Sequence, residues 1–143
     1  MDNIMFCSCG RRATLLKDFR KSMNGCGKIV ATDMSPVAPA LFMADETYLV
    51  PRIDDPSYYE HVLDICEKSK VKAITTLIDP EIEILAKNRE DLLSKGILPL
   101  CPADWTARLC YDKYEMFKYL HDKGVRTILT YNSLEEFKNG LEK

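Results

Sequence analysis

Lys72-Ala73-Ile74-Thr75-Thr76-Leu77-Ile78-Asp79-Pro80-Glu81-Ile82-Glu83-Ile84-Leu85-Ala86 is the stretch that decides the fold. Lys72 to Leu77 is a short run rich in apolar and β-branched residues, which reads as a strand. Ile82, Ile84, Leu85 and Ala86 then supply the apolar residues of a helix, and Pro80 stands at its first position, where a missing N–H is no loss. Between the two lies a turn rich in carboxylates. In an open α/β sheet, turns that follow the carboxyl ends of strands are where ligands make their contacts.

The same alternation continues in both directions. Asn3 to Cys7 is an apolar run, Ser8-Cys9-Gly10 a turn, and Arg11 to Met23 carries Ala13, Leu15, Leu16 and Phe19 at helical spacing. Asn24-Gly25-Cys26-Gly27 breaks the chain before a second strand, Lys28 to Thr32, which delivers Asp33 at its end. Strand, helix and strand in this succession make a parallel pair. Met34 to Ala40 contains two prolines and leads to a helical turn around Leu41 to Ala44, then a third strand at Tyr48 to Val50 closed by Pro51. Asp55-Pro56 opens a helix with Tyr59, Val62, Leu63, Ile65 and Cys66 on its apolar face.

Beyond the deciding stretch, Ile97 to Leu100 reads as a fifth strand after Lys95-Gly96, and Pro102 to Leu109 as a short helix. Asp112 caps a helix from Lys113 to Lys123 that stops at Gly124. Arg126 to Tyr131 is strand-like, and Ser133 caps a last amphipathic helix through Leu134, Phe137 and Leu141. The fold class is therefore α/β. A doubly wound, Rossmann-like parallel sheet of about five strands runs to about Pro102, with a small helical appendage after a boundary near Trp105 to Asp112.

A chain of 143 residues suits one core. Its 20 basic and 22 acidic side chains are interspersed and give a net charge of -2, so no electrostatic footprint points to nucleic acid. No apolar run has the length of a membrane span, and the N-terminus reads as a strand, not a signal peptide, so a cytoplasmic protein is expected. Cys7, Cys9, Cys26, Cys66, Cys101 and Cys110 are expected as free thiols in that compartment. Cys7, Cys9 and Cys26 are not accompanied by a CxxC pair, which argues against zinc, and His61 and His121 fall within helical patterns without a visible partner.

The strand ends gather Ser8, Gly10, Arg11, Arg12, Asp33, Ser35, Asp54, Asp79 and Glu81. Gly10 permits close backbone approach, and Arg11 and Arg12 offer forks for a phosphate or carboxylate or else stand as solvated first-turn residues. Asp33 follows Gly10 by 23 positions, near the spacing of a ribose-binding acid, but Ser8-Cys9-Gly10-Arg11-Arg12-Ala13 has one glycine where the dinucleotide fingerprint needs three. Asp33 reads equally as a turn cap. Asp79 suits a helix cap, whereas Glu81 beside an arginine pair suits the amine of a zwitterionic substrate. A receiver-like signalling domain would need paired acids after the first strand, which this chain lacks.

With these residues assembled, the chain resembles the N-terminal, pre-ATP-grasp part of ATP-grasp ligases, especially the short carbamoyl-phosphate-synthase-like proteins. The resemblance is carried by Ser8-Cys9-Gly10-Arg11-Arg12, by Ala31-Thr32-Asp33-Met34-Ser35-Pro36 with Ala38-Pro39-Ala40, and by Pro51-Arg52-Ile53-Asp54-Asp55-Pro56. Leu77-Ile78-Asp79-Pro80-Glu81 and Asp112-Lys113 before Gly124-Val125 complete it. It implies a pre-ATP-grasp domain over residues 1–110 and the start of the ATP-grasp region over 111–143. The implied reaction is that of a carboxylate-amine or carboxylate-thiol ligase, in which ATP with magnesium converts a carboxylate to an acyl-phosphate. Gly10, Arg11, Arg12, Asp33, Ser35, Asp79 and Glu81 are the implied substrate contacts, and Pro80-Glu81-Ile82-Glu83 is similar to the substrate-holding segment of the formate-dependent glycinamide ribonucleotide enzyme. Lys113 matches a basic residue that touches ATP phosphate in the family.

Two departures qualify the expectation. Val125-Arg126-Thr127-Ile128 replaces the proline usual after the position of Gly124, and the lysines, glycine-rich flap and magnesium ligands of the nucleotide domain lie beyond the region that matches. ATP and magnesium are accordingly expected in the full-length enzyme and not tightly bound to this chain, which should not catalyse ligation alone. Expected partners are a small carboxylate or amino acid, the rest of a ligase, and a second copy through the apolar face of Ser133 to Leu141; nucleic acid and membranes are not expected. The alternative is a stand-alone module that binds a small molecule or a partner.

Overall fold

In the computed structural model, residues 2–141 are described. The elements are β1 (Asn3–Cys7), α1 (Ala13–Met23), β2 (Ile29–Asp33), a 3₁₀ turn (Pro39–Met43), β3 (Glu46–Leu49), α2 (Tyr58–Lys68), β4 (Val71–Thr76), α3 (Asp79–Lys87), α4 (Arg89–Ser94), β5 (Leu98–Pro99), α5 (Asp104–Tyr111), α6 (Lys113–Asp122) and α7 (Leu134–Leu141). The five strands form one parallel sheet in the order β3-β2-β1-β4-β5.

The order follows from which strands are covered on both faces. β1 and β2 are buried at every position, as central parallel strands must be, whereas the edge strand β3 alternates between half-buried and exposed residues. Successive side chains on a strand point to opposite faces, so Met5 and Cys7 join one core and Ile4 and Phe6 the other. The first core packs Val30 and Ile74 under Tyr58, Val62 and Cys66 of α2, Leu85 of α3 and Leu92 of α4. The second packs Ile29 and Ala31 under Leu16 of α1 and Ala40 and Leu41 of the 3₁₀ turn. The sheet is doubly wound, and strand order reverses between β1 and β4.

α5 packs on α3, burying Ala107, and α6 packs on α5, with Trp105 and Tyr119 at 6.2 Å between ring centroids. α6 and α7 bury no residue, and Ile128, Leu129, Leu134 and Leu141 are all exposed. The expected caps are present. Asp112 accepts from the Tyr114 and Glu115 N–H groups, Ser133 Oγ accepts from Glu136 N at 3.1 Å, and Gly124 has φ +70°.

Four expectations are corrected. Arg126 to Tyr131 forms no strand, because its apolar residues find no sheet edge to pair with and stay largely exposed. The third strand begins at Glu46 instead of Tyr48, where the backbone of β2 supplies a partner. The fifth is assigned only over Leu98–Pro99, at the sheet edge, although the Leu100 N–H still donates to the Ile74 carbonyl at 2.8 Å. α3 begins at Asp79 without a side-chain cap, and the Ile78 N–H donates to Thr76 Oγ1 at 3.3 Å instead.

Candidate functional site

The reversal of strand order brings the carboxyl ends of β1 and β4 together with nothing between them but their own turns. β1 passes through Ser8 (φ +44°) and Gly10 (φ +52°) before α1. Positive φ is costly for a side chain with a Cβ, so Ser8 is held there by its surroundings. At Gly10 an added Cβ would meet Arg12 Nη1 at 3.7 Å and Ser8 O at 3.9 Å, ordinary contacts; glycine is required there by φ, not by space.

Asp33 fixes this turn. Its Oδ2 accepts from Gly10 N at 2.8 Å and its Oδ1 from Ser35 N at 2.9 Å, so one buried carboxylate ties the turn after β1 to the turn after β2. Ser35 takes part through its backbone. Arg12 makes the corresponding tie to β4, donating from Nη2 to the Leu77 carbonyl at 2.7 Å. Arg11 is exposed and makes no ion pair or side-chain hydrogen bond among the described residues.

Glu81 is wholly buried. Tyr58 of α2 and Thr76 of β4 both donate their hydroxyls to its carboxylate in short hydrogen bonds. Burial pushes the Glu81 carboxyl up to about 7; the Ser8 hydroxyl opposes that rise and the charge of Asp33 adds to it. Burial likewise raises the neighbouring Cys7 thiol, with Glu81 contributing. Glu81 is thus a closed-off acid beneath the turn after β1, poised to carry a proton near neutrality.

Above it is a cavity of about 300 Å³ whose wall includes Ser8, Asp33, Met34, Val50, Arg52 and Ile78. Arg52 spans Asp54 with two donors, Nε to Oδ1 at 3.1 Å and Nη2 to Oδ2 at 3.3 Å, and both side chains are exposed. Asp79 and Lys113 lie elsewhere, lining a smaller cavity of about 140 Å³ with Ile82, Ala107 and Cys110. There Lys113 Nζ donates to the Cys110 carbonyl at 2.6 Å. A cavity of that size beside a carboxylate does not fit a nucleoside triphosphate.

The expected residues therefore divide: Gly10, Arg12, Asp33, Ser35 and Glu81 surround the switch point, Arg11 faces solvent, and Asp79 and Lys113 face the appended helices. Sequence reasoning passed over Tyr58, Thr76 and Arg52. Arg52 had a signal in its place in the turn after the third strand; Tyr58 had none, because its partner is remote in sequence. A larger cavity, about 730 Å³, opens at the amino ends of the strands between α2 and Lys72, Lys95 and Ile97. Volume alone does not outweigh position, since open α/β sheets bind ligands at the carboxyl ends. All six cysteines are free, and no cluster of three metal-ligating side chains occurs among the described residues.

Solved structures share this architecture. A biotin carboxylase domain of a single-chain bacterial carboxylase superposes with a TM-score of 0.65 at 17% identity, covering 99% of this chain and 34% of that one. The N5-carboxyaminoimidazole synthetase from Staphylococcus aureus, complexed with ADP, gives 0.68 at 16%, covering 99% and 36%. The biotin carboxylase subunit of a pyruvate carboxylase gives 0.64 at 20%, covering 97% and 32%. The chain spans about a third of the length of each. The fold is that of the N-terminal domain of ATP-grasp ligases. Residues 4–100 match the profile described as PylC-like, N-terminal domain, and the chain belongs to that family. A comparison with curated proteins finds no match.

Proposed function

We propose that this chain is the substrate-binding N-terminal part of an ATP-grasp ligase of the carbamoyl-phosphate-synthase-like kind, which activates a small carboxylate as an acyl-phosphate for attack by an amine or thiol. The observation that carries the reading is the cavity at the switch point, with a buried acid beneath it and an arginine at its rim. A cavity of about 300 Å³ suits a small metabolite and not a nucleotide.

In this reading Asp33 and Arg12 hold the two turns that shape the cavity, and Glu81 stiffens the wall from behind through Tyr58, Thr76 and Ser8. Residues 111–143 begin the ATP-grasp region. ATP and magnesium, which would supply the phosphoryl group, are held by other parts of the enzyme, with Lys113 reaching a phosphate only where those parts complete its site. The exposed apolar residues of the appendage, Ile128, Leu129, Leu134, Phe137 and Leu141, with the neighbouring Trp105, are the surface that the rest of the ligase would cover.

Calorimetric titration with small carboxylates, amino acids and magnesium-ATP tests the reading. Expected is saturable binding of a carboxylate or amino acid, weakened by Arg12→Ala, with little affinity for ATP. Absence of binding by every carboxylate and amino acid would leave a partner-binding module as the better account.

A further inference from the structure

The polar groups that face the strand-end cavity are few, and they differ from those that the sequence singles out. Arg11 does not line it, Arg12 is committed to the Leu77 carbonyl, and Glu81 is sealed behind its wall. Two charges remain on the wall, Arg52 and Asp33. Asp33 uses one lone pair on each oxygen for Gly10 and Ser35, which leaves acceptor capacity for an ammonium group. Arg52 is held by the exposed carboxylate of Asp54, a solvated pair worth little, so its fork can turn to another carboxylate at small cost. Around the two charges the lining is mostly apolar, from Met34, Val50, Pro51, Ile53 and Ile78.

We infer that Arg52 is the carboxylate-binding residue of this cavity and Asp33 its ammonium-binding counterpart, so that the site takes a zwitterion with a short apolar body. The inference rests on the proposed function and deepens it by assigning the two polar contacts. The main chain of β2 and β3 fixes both poles: Asp33 ends one strand and Arg52 follows the other by three residues, on neighbouring turns.

The test is calorimetric titration of the whole chain with three related molecules: norleucine, hexanoate, which lacks the amine, and pentylamine, which lacks the carboxylate. Wild type is expected to prefer norleucine over both. Arg52→Ala should weaken norleucine and hexanoate about tenfold or more, the worth of a charge-assisted hydrogen bond, and leave pentylamine unchanged. Because the Arg52 side chain is exposed, the variant should fold normally. Asp33→Asn would loosen two turns, so the amine contact is read from hexanoate and not from a variant. Equal norleucine binding by Arg52→Ala and wild type overturns the assignment; if Arg12→Ala still abolishes it, the cavity remains the site. Wild-type binding of hexanoate as tight as norleucine removes the role of Asp33. Failure of norleucine and hexanoate alike to bind wild type overturns this assignment; the cavity reading beneath it falls only if the wider panel of carboxylates and amino acids also fails to bind.

Discussion

Replacing Glu81 with glutamine should abolish a loss of stability that the wild-type protein suffers as the pH rises through the weakly acidic range. In the folded chain burial holds this carboxyl at about 7, against 4.5 for the free group. At about 1.4 kcal/mol per pH unit, that difference corresponds to roughly 3 kcal/mol. The direction is set by proton counting. Between pH 4.5 and 7 the folded state keeps a proton on Glu81 that the unfolded chain has released, so stability falls as pH rises through this window. Below it both states carry the proton and the contribution is fully favourable; above it both have lost the proton and the full cost of the buried charge is felt.

Glutamine keeps the volume and can bond to both the Tyr58 and Thr76 hydroxyls without ever ionising. Urea unfolding followed by circular dichroism at half-unit steps from pH 4.5 to 8 should therefore show the two proteins close at the acid end. The variant should be more stable by roughly 3 kcal/mol at the alkaline end. Groups such as Asp54, Asp55 and Asp91, whose carboxyls are held below their ordinary values by hydrogen-bonding neighbours, contribute a slope common to both proteins, so the difference curve isolates Glu81. A constant offset between wild type and variant over the whole range would refute the reasoning, because it would mean that Glu81 does not titrate there.

Other perturbations test the frame around the site. Arg12→Ala removes the tie to the Leu77 carbonyl and should cost about 1 kcal/mol, with faster amide exchange in the turn at residues 77–80 and little change in the central strands. Gly27→Ala would drive a Cβ into the backbone of Asp2, which has no side-chain freedom to yield; about 1–3 kcal/mol of lost stability is expected in a urea unfolding series. Asp112→Ala deletes the cap of α6 and should cost about 1 kcal/mol of stability, read by urea unfolding, with reduced helical ellipticity as its signature.

The parts of the molecule that were legible in the sequence share a physical property. β1 and β2 were legible, β2 to within a residue, because strands covered on both faces need near-continuous apolar runs, and β4 was placed to within a residue by its short β-branched run. The caps at Asp112 and Ser133 read correctly because a cap bonds to an N–H two or three residues away. The edge strands were displaced by a residue or two, since pairing on one side only leaves a weaker pattern. Arg126 to Tyr131 has the composition of a strand without a neighbour to make it one.

The candidate site was legible in location but not in arrangement. A glutamate in the first turn of a helix looks solvated or ligand-facing until Tyr58, 23 residues away, is seen to close over it. Arg12 looks like a free cation until Leu77, 65 residues away, takes its guanidinium. Arg52 looks like a loop charge until the turns after β2 and β3 are set side by side. The sequence by itself determined the alternation of strands and helices and the turns that carry polar residues, because periodicity and capping act over a few residues. Only the tertiary structure decided which acid is buried, which arginine is committed and which charges share a cavity, because burial and pairing depend on segments that folding alone brings together.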